Sequence, residues 1–348
     1  MVELTRLGDF LVTVPALVAL HNRFPGSTMT IAVDARYAPL VPAIVPFAVP
    51  LPVAKPSALL PFLRCLRTVR RRRFDLAIAM SPARRNAALV LAGRAARKVG
   101  YLASQDSLTP YLTTTQVEAV GMTLTTFEAY GREHISQRPE KILGAMGIPA
   151  GQEVPSVELP TAAGLDVRKR LAASGISAGV RFVAIHPCSG WEYRTWSARK
   201  FAELAAAIGS RSACPVVFFA PEEDWEQVER VREFLGPATQ VVFLKTDTLL
   251  EAAVLIREAA LFVGNDSGPL HLASLFGVPS VGLFGPAPPS LTGPINRRSR
   301  YVYRHVECSP CDQRRCIRPD NPCIELITTQ EMLDAVESMF QQQPVNRG

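Results

Sequence analysis

The chain has 348 residues, of which 48% are hydrophobic, a composition typical of a folded protein and a length that suits two ordinary domains. No stretch approaches the ~18 uninterrupted apolar residues that cross a membrane, so no transmembrane segment is expected. The first residues include Glu3, Arg6 and Asp9 where a signal peptide would have a basic stretch and then an apolar one. The sequence therefore predicts a cytoplasmic protein.

The net charge is +7, and much of the positive charge is clustered. The cluster consists of Arg64, Arg67, Arg70, Arg71, Arg72 and Arg73, and it is followed by Arg84, Arg85, Arg94, Arg97 and Lys98. A basic face suits nucleic acid, an anionic lipid surface or an anionic substrate, although a solvated helix face is the commoner explanation of a charge run. Because no nucleic-acid motif and no interleaved aromatic residues accompany it, nucleic acid is the least favoured partner.

Four of the seven cysteines lie close together near the end of the chain, at Cys308, Cys311, Cys316 and Cys323. In a cytoplasmic protein such a cluster indicates thiols or a metal site before disulfides. The spacing differs from the paired CxxC arrangement of a zinc ribbon, so a metal site is the less favoured interpretation.

In the first half of the chain, apolar runs alternate with helical periodicity. The pattern predicts a helix over residues 11–24, strands over 28–33 and 74–80, a basic amphipathic helix over 57–73 and a further strand and helix unit over 83–101. Residues 104–126 are polar and rich in threonine, which predicts a long loop, and a helix is predicted over 130–146. Alternating strands and helices indicate a parallel sheet with helices on both faces.

The second half shows the same alternation more clearly. Five strands are predicted, over residues 181–186, 215–220, 241–244, 261–263 and 280–284, with helices between them. This order indicates a doubly wound domain, in which ligands bind at the carboxyl ends of the strands. Thr328 and Glu331 form a capping-box pattern that begins a final helix.

Residues 264–271 connect a predicted strand to a predicted helix. Pro269 suits the first helical turn, Ser267 can cap the helix, and Gly268 lets a ligand approach the backbone closely. The N-terminus of such a helix attracts an anion, most often a nucleotide diphosphate. Asp266 beside an anion is explained if it binds sugar hydroxyls. The equally favoured alternative is that Asp266 and Ser267 only cap the helix.

Three further residues at element ends are candidates for chemistry. Arg194 follows the strand over residues 181–186 and could complete a diphosphate clamp, or form a surface ion pair. Asp9 lies at the start of a helix and could be a general base, although a capping aspartate is commoner. His271 could reach a ligand or be a buried, satisfied histidine. The sequence contains no P-loop, GxSxG, HExxH, GxGxxG or kinase motif.

Taken together, these motifs resemble glycosyltransferase family 9, the heptosyltransferase family. The matching segments are residues 6–9 with Pro15, 74–78, His186-Pro187 with Trp196, 265–273, 277–279, 283–286, and the late cysteines with Ile327-Thr328. The resemblance covers nearly the whole chain in the right order. It implies the GT-B fold, which consists of two Rossmann-like doubly wound domains with a cleft between them.

The resemblance also implies the domain organisation and the reaction. Residues 1–160 would form the acceptor-binding domain, 161–327 the nucleotide-sugar domain, and 328–348 a helix and tail that pack back on the N-terminal domain. The reaction would be an inverting, metal-independent transfer of a sugar, usually heptose from ADP-heptose, onto the core of lipopolysaccharide. The enzyme would need no cofactor and would act at the cytoplasmic surface of the inner membrane.

By motif match, Asp9 would be the catalytic base. Arg194 would be the cation at the donor phosphates, and Ser267 and Gly268 would hold the diphosphate through backbone N–H groups. Asp266 would bind the donor sugar.

The resemblance implies two more roles on the donor side, and the arginine cluster suggests one on the acceptor side. His271 would support the sugar site, and Glu222 or Glu223 would contact the ribose. Arg64 and Arg67 would bind acidic groups of a lipid-linked acceptor.

Two alternatives to this function remain, and a departure from the family mildly supports the second. Where many members have Asp-x-Gln-Gly after the strand over residues 74–80, this chain has Met80-Ser81-Pro82. One alternative is a nucleotide-sugar epimerase of GT-B fold, which would need an additional acid–base pair. The other is a member without activity that binds a nucleotide or a carbohydrate.

Overall fold

The structure is a computed structural model. It describes residues 1–54, 59–81, 83–100, 117–119, 134–149, 151, 154–212, 214–236, 240–294, 296–311, 315–320 and 322–342. The chain divides into two compact units, Met1–Glu158 and Leu159–Gly348. Each unit contains one six-stranded sheet in which every strand pair is parallel. The predicted α/β class with two doubly wound, Rossmann-like halves is therefore confirmed.

The strands of the first sheet are arranged in the order β3-β2-β1-β4-β5-β6. They span Val2–Glu3 (β1), Met29–Asp34 (β2), Ala48–Val53 (β3), Arg73–Ala79 (β4), Arg94–Gly100 (β5) and Val117–Ala119 (β6). The chain order reverses between β1 and β4, which makes this pair the switch point where doubly wound sheets bind their ligands.

Within the described residues of the first unit there are six helices. They are α1 (Leu7–Val12), α2 (Val14–Arg23), α3 (Val41–Ile44), α4 (Leu59–Arg71), α5 (Arg84–Ala92) and α6 (Gln137–Ala145). The single helix expected over residues 11–24 is thus two helices separated at Thr13. Pro15 has no N–H to donate to Leu11, and the Thr13 hydroxyl donates to the Phe10 carbonyl oxygen at 2.7 Å.

Two other predictions for the first unit fall partly outside the described residues. Of the loop predicted over residues 104–126, only 117–119 are described, and they form β6. The helix predicted over 130–146 corresponds to α6, and residues 130–133 lie outside the described ranges.

The second sheet has the same pattern in the order β12-β11-β10-β7-β8-β9. Its strands span Val183–His186 (β7), Val216–Ala220 (β8), Val241–Lys245 (β9), Leu261–Asn265 (β10), Ser280–Phe284 (β11) and Ser299–Tyr303 (β12). The switch point lies between β7 and β10. The sequence predicted five strands, and β12 is the missing one, because this half-buried edge strand has no apolar run.

The helices of the second unit cover both faces of its sheet. They are α7 (Thr161–Ala173), α8 (Ala198–Ser212), α9 (Trp225–Glu233), α10 (Leu249–Glu258), α11 (Gly268–Leu275), α12 (Pro289–Thr292) and α13 (Thr329–Gln341). β7, β8, β10 and β11 are buried along their whole length, as expected for central parallel strands covered on both faces.

The final helix, α13, begins with the predicted capping box. The Thr328 hydroxyl accepts the Glu331 N–H at 3.2 Å, and a Glu331 carboxylate oxygen accepts the Thr328 N–H at 2.9 Å. Met332, Leu333 and Val336 on this helix belong to the buried core of the second unit. The apolar face of α13 is thus buried by the second unit, and a contact of this helix with the N-terminal domain stays a prediction.

Candidate functional site

The switch point of the second sheet brings together two loops that the sequence singled out. Arg194 ends the short 3₁₀ turn Glu192–Arg194 after β7, and Asp266 follows β10. Asn265 joins the loops, because its side-chain amide donates to the Pro187 carbonyl oxygen at 3.0 Å and its Oδ1 accepts the Trp196 N–H at 3.1 Å. Asn265 is fully buried, so these bonds fix both loops in place.

Arg194 and Asp266 form a direct ion pair, with 2.8 Å between Arg194 Nη1 and Asp266 Oδ2. Both residues are buried, and the Thr292 hydroxyl donates to the same carboxylate oxygen at 3.2 Å. The predicted proximity of the two residues is therefore present. Their charges neutralise each other inside the protein, a direct pairing that the sequence did not indicate.

Helix α11 begins beside this ion pair. Ser267 occupies the N-cap position, but its side chain accepts no hydrogen bond from the helix. The expectation that the Ser267 hydroxyl caps the helix is therefore wrong. Its Oγ is buried and has no hydrogen-bond partner. Gly268 and Pro269 form the first turn, so no capping side chain covers a helix end whose N–H groups favour an anion.

The other predicted donor residues differ in exposure. His271 lies on α11 and is 6% exposed, which fits a buried histidine within the helix packing. Glu222 lies in the 3₁₀ turn Glu222–Asp224 after β8, and its exposed carboxylate pairs with Lys245 Nζ. Glu222 is therefore at the same carboxyl edge of the sheet as Arg194, whereas the ribose contact of Glu222 or Glu223 stays a prediction.

His186, Cys188 and Asp224 form the group of possible metal ligands found within the described ranges. Their ligand atoms all lie within 4.8 Å of one another. Burial lowers the pKa of His186 to about 4, and His186 Nδ1 has no hydrogen-bond partner. Burial and the nearby Asp224 carboxyl raise the pKa of the Cys188 thiol far above its ordinary range, which disfavours the thiolate that a metal needs.

In the first unit, Asp9 follows β1 at the switch point. It is the third residue of α1, and a carboxylate oxygen accepts the Arg6 N–H at 3.3 Å. Arg138, on α6, lies 3.8 Å from the other oxygen. The Asp9 carboxylate thus accepts a backbone hydrogen bond at the start of α1. Its side chain remains 22% exposed, which is compatible with contact to a substrate.

Glu3, the last residue of β1, is a buried carboxyl for which the sequence predicted no role. It is 1% exposed, and burial together with the nearby Asp9 carboxylate raises its pKa to about 7. The signal that could have found it is an acidic residue inside an apolar strand at the switch point.

The arginines expected at the acceptor lie on a broad exposed surface. Arg64 and Arg67 are exposed on α4, which buries Cys65 and Val69 on its other face. Among the residues that the structure describes, no acidic side chain pairs with either arginine. The surface continues to Arg70 and Arg73, and Arg73 is paired in register with Arg94 on β5.

This basic surface extends away from Asp9. Arg73 starts β4, whereas Asp9 lies at the carboxyl edge of the sheet, about 20 Å away along a strand of this length. Helix α4 leads into β4, so Arg64 and Arg67 lie between the two edges. Arg64 and Arg67 therefore lie nearer the carboxyl edge than Arg73 does, and their contact with an acceptor stays a prediction.

All seven cysteines are free thiols. Around the turn after β11, the Cys311 N–H donates to the Pro286 carbonyl oxygen at 3.2 Å, and the Arg318 N–H donates to Cys316 Sγ at 3.4 Å. Burial and the three neighbouring thiols raise the pKa of Cys323 to about 11. In the described structure, no three of these four sulfur atoms are close enough to share a metal ion.

A groove of about 940 Å³ lies at the other edge of the second sheet, lined by Phe182, Arg257 and Arg298 among others. It is at the amino ends of β7 and β10, so it is separate from the switch-point loops. Over the described ranges, every helix is too short or too polar to cross a bilayer.

Comparison with known proteins identifies the family. The profile of glycosyltransferase family 9 (heptosyltransferase) matches residues 62–320. Lipooligosaccharide heptosyltransferase 2 of Campylobacter jejuni serotype O:2 is 24% identical over 166 residues, which are 47% of this chain and 52% of that protein. The chain thus matches about half the length of this curated relative.

Solved structures match over almost the whole chain. The glycosyl transferase family 9 protein from Veillonella parvula has a TM-score of 0.83 at 20% identity, covering 98% of this chain and 96% of that one. ADP-heptose lps heptosyltransferase II of E. coli has a TM-score of 0.73 at 18% identity, covering 98% of both chains. The fold agrees with these structures, and the profile match shows that the chain belongs to glycosyltransferase family 9, the heptosyltransferases.

Proposed function

We propose that the protein is an inverting glycosyltransferase that moves heptose from ADP-heptose to the core of lipopolysaccharide or a related cell-surface glycan, without a metal ion. Family membership supports sugar transfer, and the name of the E. coli structure supports ADP-heptose as the donor. The proposal rests mainly on one observation: the uncapped start of α11 lies beside Arg194 and Asp266 at the switch point of the second sheet.

The second unit would bind the donor. The diphosphate would lie at the start of α11, where the N–H groups around Ser267 and Gly268 and the helix dipole favour negative charge. The Arg194 guanidinium would turn partly from Asp266 to the phosphate, and Asp266 would accept hydrogen bonds from sugar hydroxyls. His271 would support the helix start from within, and Glu222 would contact the ribose.

The first unit would supply the base. The Asp9 carboxylate would take the proton from the acceptor hydroxyl as that oxygen attacks the anomeric carbon. The bond between this carbon and the phosphate oxygen would break with inversion, and ADP would leave with the electron pair. Arg194 and the α11 dipole would stabilise the charge on the leaving diphosphate, a role that a metal ion has in other transferases.

Asp9→Asn tests the proposed base most directly. We expect release of ADP from ADP-heptose, in the presence of a lipopolysaccharide core acceptor, to fall by roughly 10²- to 10⁴-fold. ADP affinity measured by calorimetry should remain the same. Asp75→Asn, which removes an exposed carboxylate on β4 of the same unit, is the matched control and should keep full activity.

Three outcomes would contradict this proposal or its assigned base. An Asp9→Asn variant with full turnover would exclude Asp9 as the base. A wild-type protein that converts the nucleotide sugar without an acceptor would be an epimerase, and one that binds ADP but releases none from a donor panel would be an inactive binding protein.

The basic surface supports an acceptor held at a membrane. Arg64 and Arg67 would bind acidic groups of the acceptor, while Arg70, Arg71, Arg72 and Arg73 would face anionic lipid, each contributing about 1 kcal/mol near such a surface. The cytoplasmic face of the inner membrane is then the proposed site of action.

Co-sedimentation with vesicles tests this part separately. Binding to vesicles containing phosphatidylglycerol should weaken in high salt and on replacing the four arginines at positions 70–73 by Gln. The matched control replaces four exposed arginines of the second unit: Arg199, Arg211, Arg230 and Arg232. Equal loss of binding in both variants would contradict a specific surface on the first unit.

A further inference from the structure

A buried polar network lies beneath the loop that connects β1 to α1. Glu3 Oε1 accepts the Thr5 N–H at 3.0 Å, the Thr5 hydroxyl hydrogen at 2.5 Å and the Ser81 hydroxyl hydrogen at 3.3 Å. Asn86, which is fully buried on α5, donates to Ser81 Oγ at 2.7 Å and accepts the Leu4 N–H at 3.1 Å. Glu3 is therefore the acceptor at the centre of this network.

The network continues along the chain to Asp9. Thr5 is followed by Arg6, whose N–H donates to an Asp9 carboxylate oxygen at 3.3 Å. Holding Thr5 therefore fixes the backbone that orients the Asp9 side chain. A role in packing alone would not require a carboxyl group here, because Gln accepts the same hydrogen bonds through its amide oxygen.

Charge distinguishes Glu3 from a neutral acceptor. Its Oε2 is buried and has no hydrogen-bond partner, and Asp9 is the charged neighbour that acts on it. Arg138 on α6 lies near Asp9, and the charge of Asp9 acts on Tyr37, as do those of the Asp34–Arg36 ion pair at the end of β2. Burial and Asp9 raise the pKa of Glu3 to about 7, so its charge changes close to neutral pH.

The geometry points to Glu3 as a positioning residue that holds the Asp9 loop and, by its charge, controls how strongly Asp9 attracts the proton of the acceptor hydroxyl. This inference rests on the proposed function of Asp9. An ionised Glu3 stabilises the proton that Asp9 accepts, because opposite charges attract in the poorly hydrated interior. When Glu3 is protonated, this assistance is lost while the loop stays in place.

The pH dependence of kcat/KM tests the inference, since that parameter reports groups of the free enzyme. In the wild type, kcat/KM should rise as the pH increases through about 7. In Glu3→Gln this step should be absent, so that activity is roughly fivefold below wild type at pH 8 and equal to it at pH 5.5. A step of the same size in both proteins would overturn the inference.

Thr5→Val is the matched control, because it removes one hydrogen bond to Glu3 and keeps the carboxyl group. The Thr5 hydroxyl lowers the pKa of Glu3, so this variant should keep the step and shift it to higher pH. If Glu3 only supports the loop, the pH profile of Glu3→Gln should match that of the wild type, because Gln accepts the same hydrogen bonds, and Thr5→Val should lose activity by the same factor at every pH.

A direct titration separates this inference from the proposed function. The ¹³C signal of the Glu3 carboxyl, assigned by its absence in Glu3→Gln, should titrate near pH 7 and at lower pH in Asp9→Asn. A midpoint near 4.5 would overturn the role of Glu3 even if Asp9 is the base. A midpoint near 7 in a protein whose Asp9→Asn variant remains active would instead overturn the proposed function and, with it, the catalytic effect of Glu3.

Discussion

Replacing Glu3 by Gln should change how the stability of the first unit depends on pH. The folded protein holds the Glu3 proton more tightly than the unfolded chain does, because burial and Asp9 raise its pKa from 4.5 to about 7. The stabilisation from this proton is therefore complete below pH 4.5 and is lost as the pH rises through 7. Gln carries no proton to lose, so the variant should lack this dependence.

The magnitude follows from the two pKa values. Each tenfold difference in proton affinity corresponds to about 1.4 kcal/mol, so the shift from 4.5 to about 7 corresponds to roughly 3 kcal/mol. Glu3→Gln should thus gain about 3 kcal/mol in unfolding free energy relative to the wild type between pH 4.5 and pH 8. Burial of Glu3 means that solvent screening reduces this figure little.

Urea unfolding at several pH values measures the effect. Far-UV circular dichroism follows both units, whereas fluorescence of Trp191, Trp196 and Trp225, the three tryptophans of the chain, follows the second unit alone. The difference between variant and wild type should appear in the circular dichroism transition and not in the fluorescence transition.

A difference that does not depend on pH would contradict this prediction. If the difference in unfolding free energy between Glu3→Gln and the wild type is the same at pH 4.5 and pH 8, then Glu3 does not titrate near pH 7 in the folded protein. A change seen equally by fluorescence would assign the effect to a group of the second unit.

Three further predictions concern the second unit, and tryptophan fluorescence during urea unfolding measures all of them. Arg194→Met should destabilise the second unit by roughly 3–5 kcal/mol, because Asp266 is left buried without its cation. Adding Asp266→Asn should recover part of this loss, whereas additive effects of the two substitutions would contradict a direct pair. The unfolding free energy of the wild type should fall by about 3 kcal/mol as the pH decreases from 6.5 to about 4, because His186 takes up its proton at higher pH in the unfolded chain than in the folded protein. A His186→Asn variant with the same acid sensitivity would exclude this histidine as the cause. Thr328→Ala should cost about 1 kcal/mol through loss of the α13 cap, whereas Thr328→Ser should be nearly neutral; equal losses would assign the effect to the methyl group.

Local sequence patterns were sufficient for most of the fold. Apolar runs located the central strands of both sheets, and capping residues located the start of α13, because these features depend on neighbours in the chain. β12 was missed because its residues are half-exposed, and a strand at the sheet edge needs no apolar run. The break at Thr13 was missed because helical periodicity continues across it.

The site was only partly predictable for a different reason. The sequence placed Arg194 and Asp266 at strand ends, but their direct contact depends on β7 and β10 being neighbours in the sheet. Glu3 was overlooked because its importance comes from burial beside Asp9 and from a bond to Ser81, which is 78 residues away in the chain. Such long-range contacts leave no periodic signal in the sequence.

The ion pair between Arg194 and Asp266 bears on how an enzyme of the proposed function would discriminate between donor and product. A lone anion that draws Arg194 away would leave the buried Asp266 carboxylate with a poorer partner. An intact nucleotide sugar brings a phosphate for the guanidinium and hydroxyls for the carboxylate, so it replaces both halves of the pair together. In the proposed reaction, the nucleotide that remains after transfer would have lost the sugar, and re-formation of the ion pair would then favour its release.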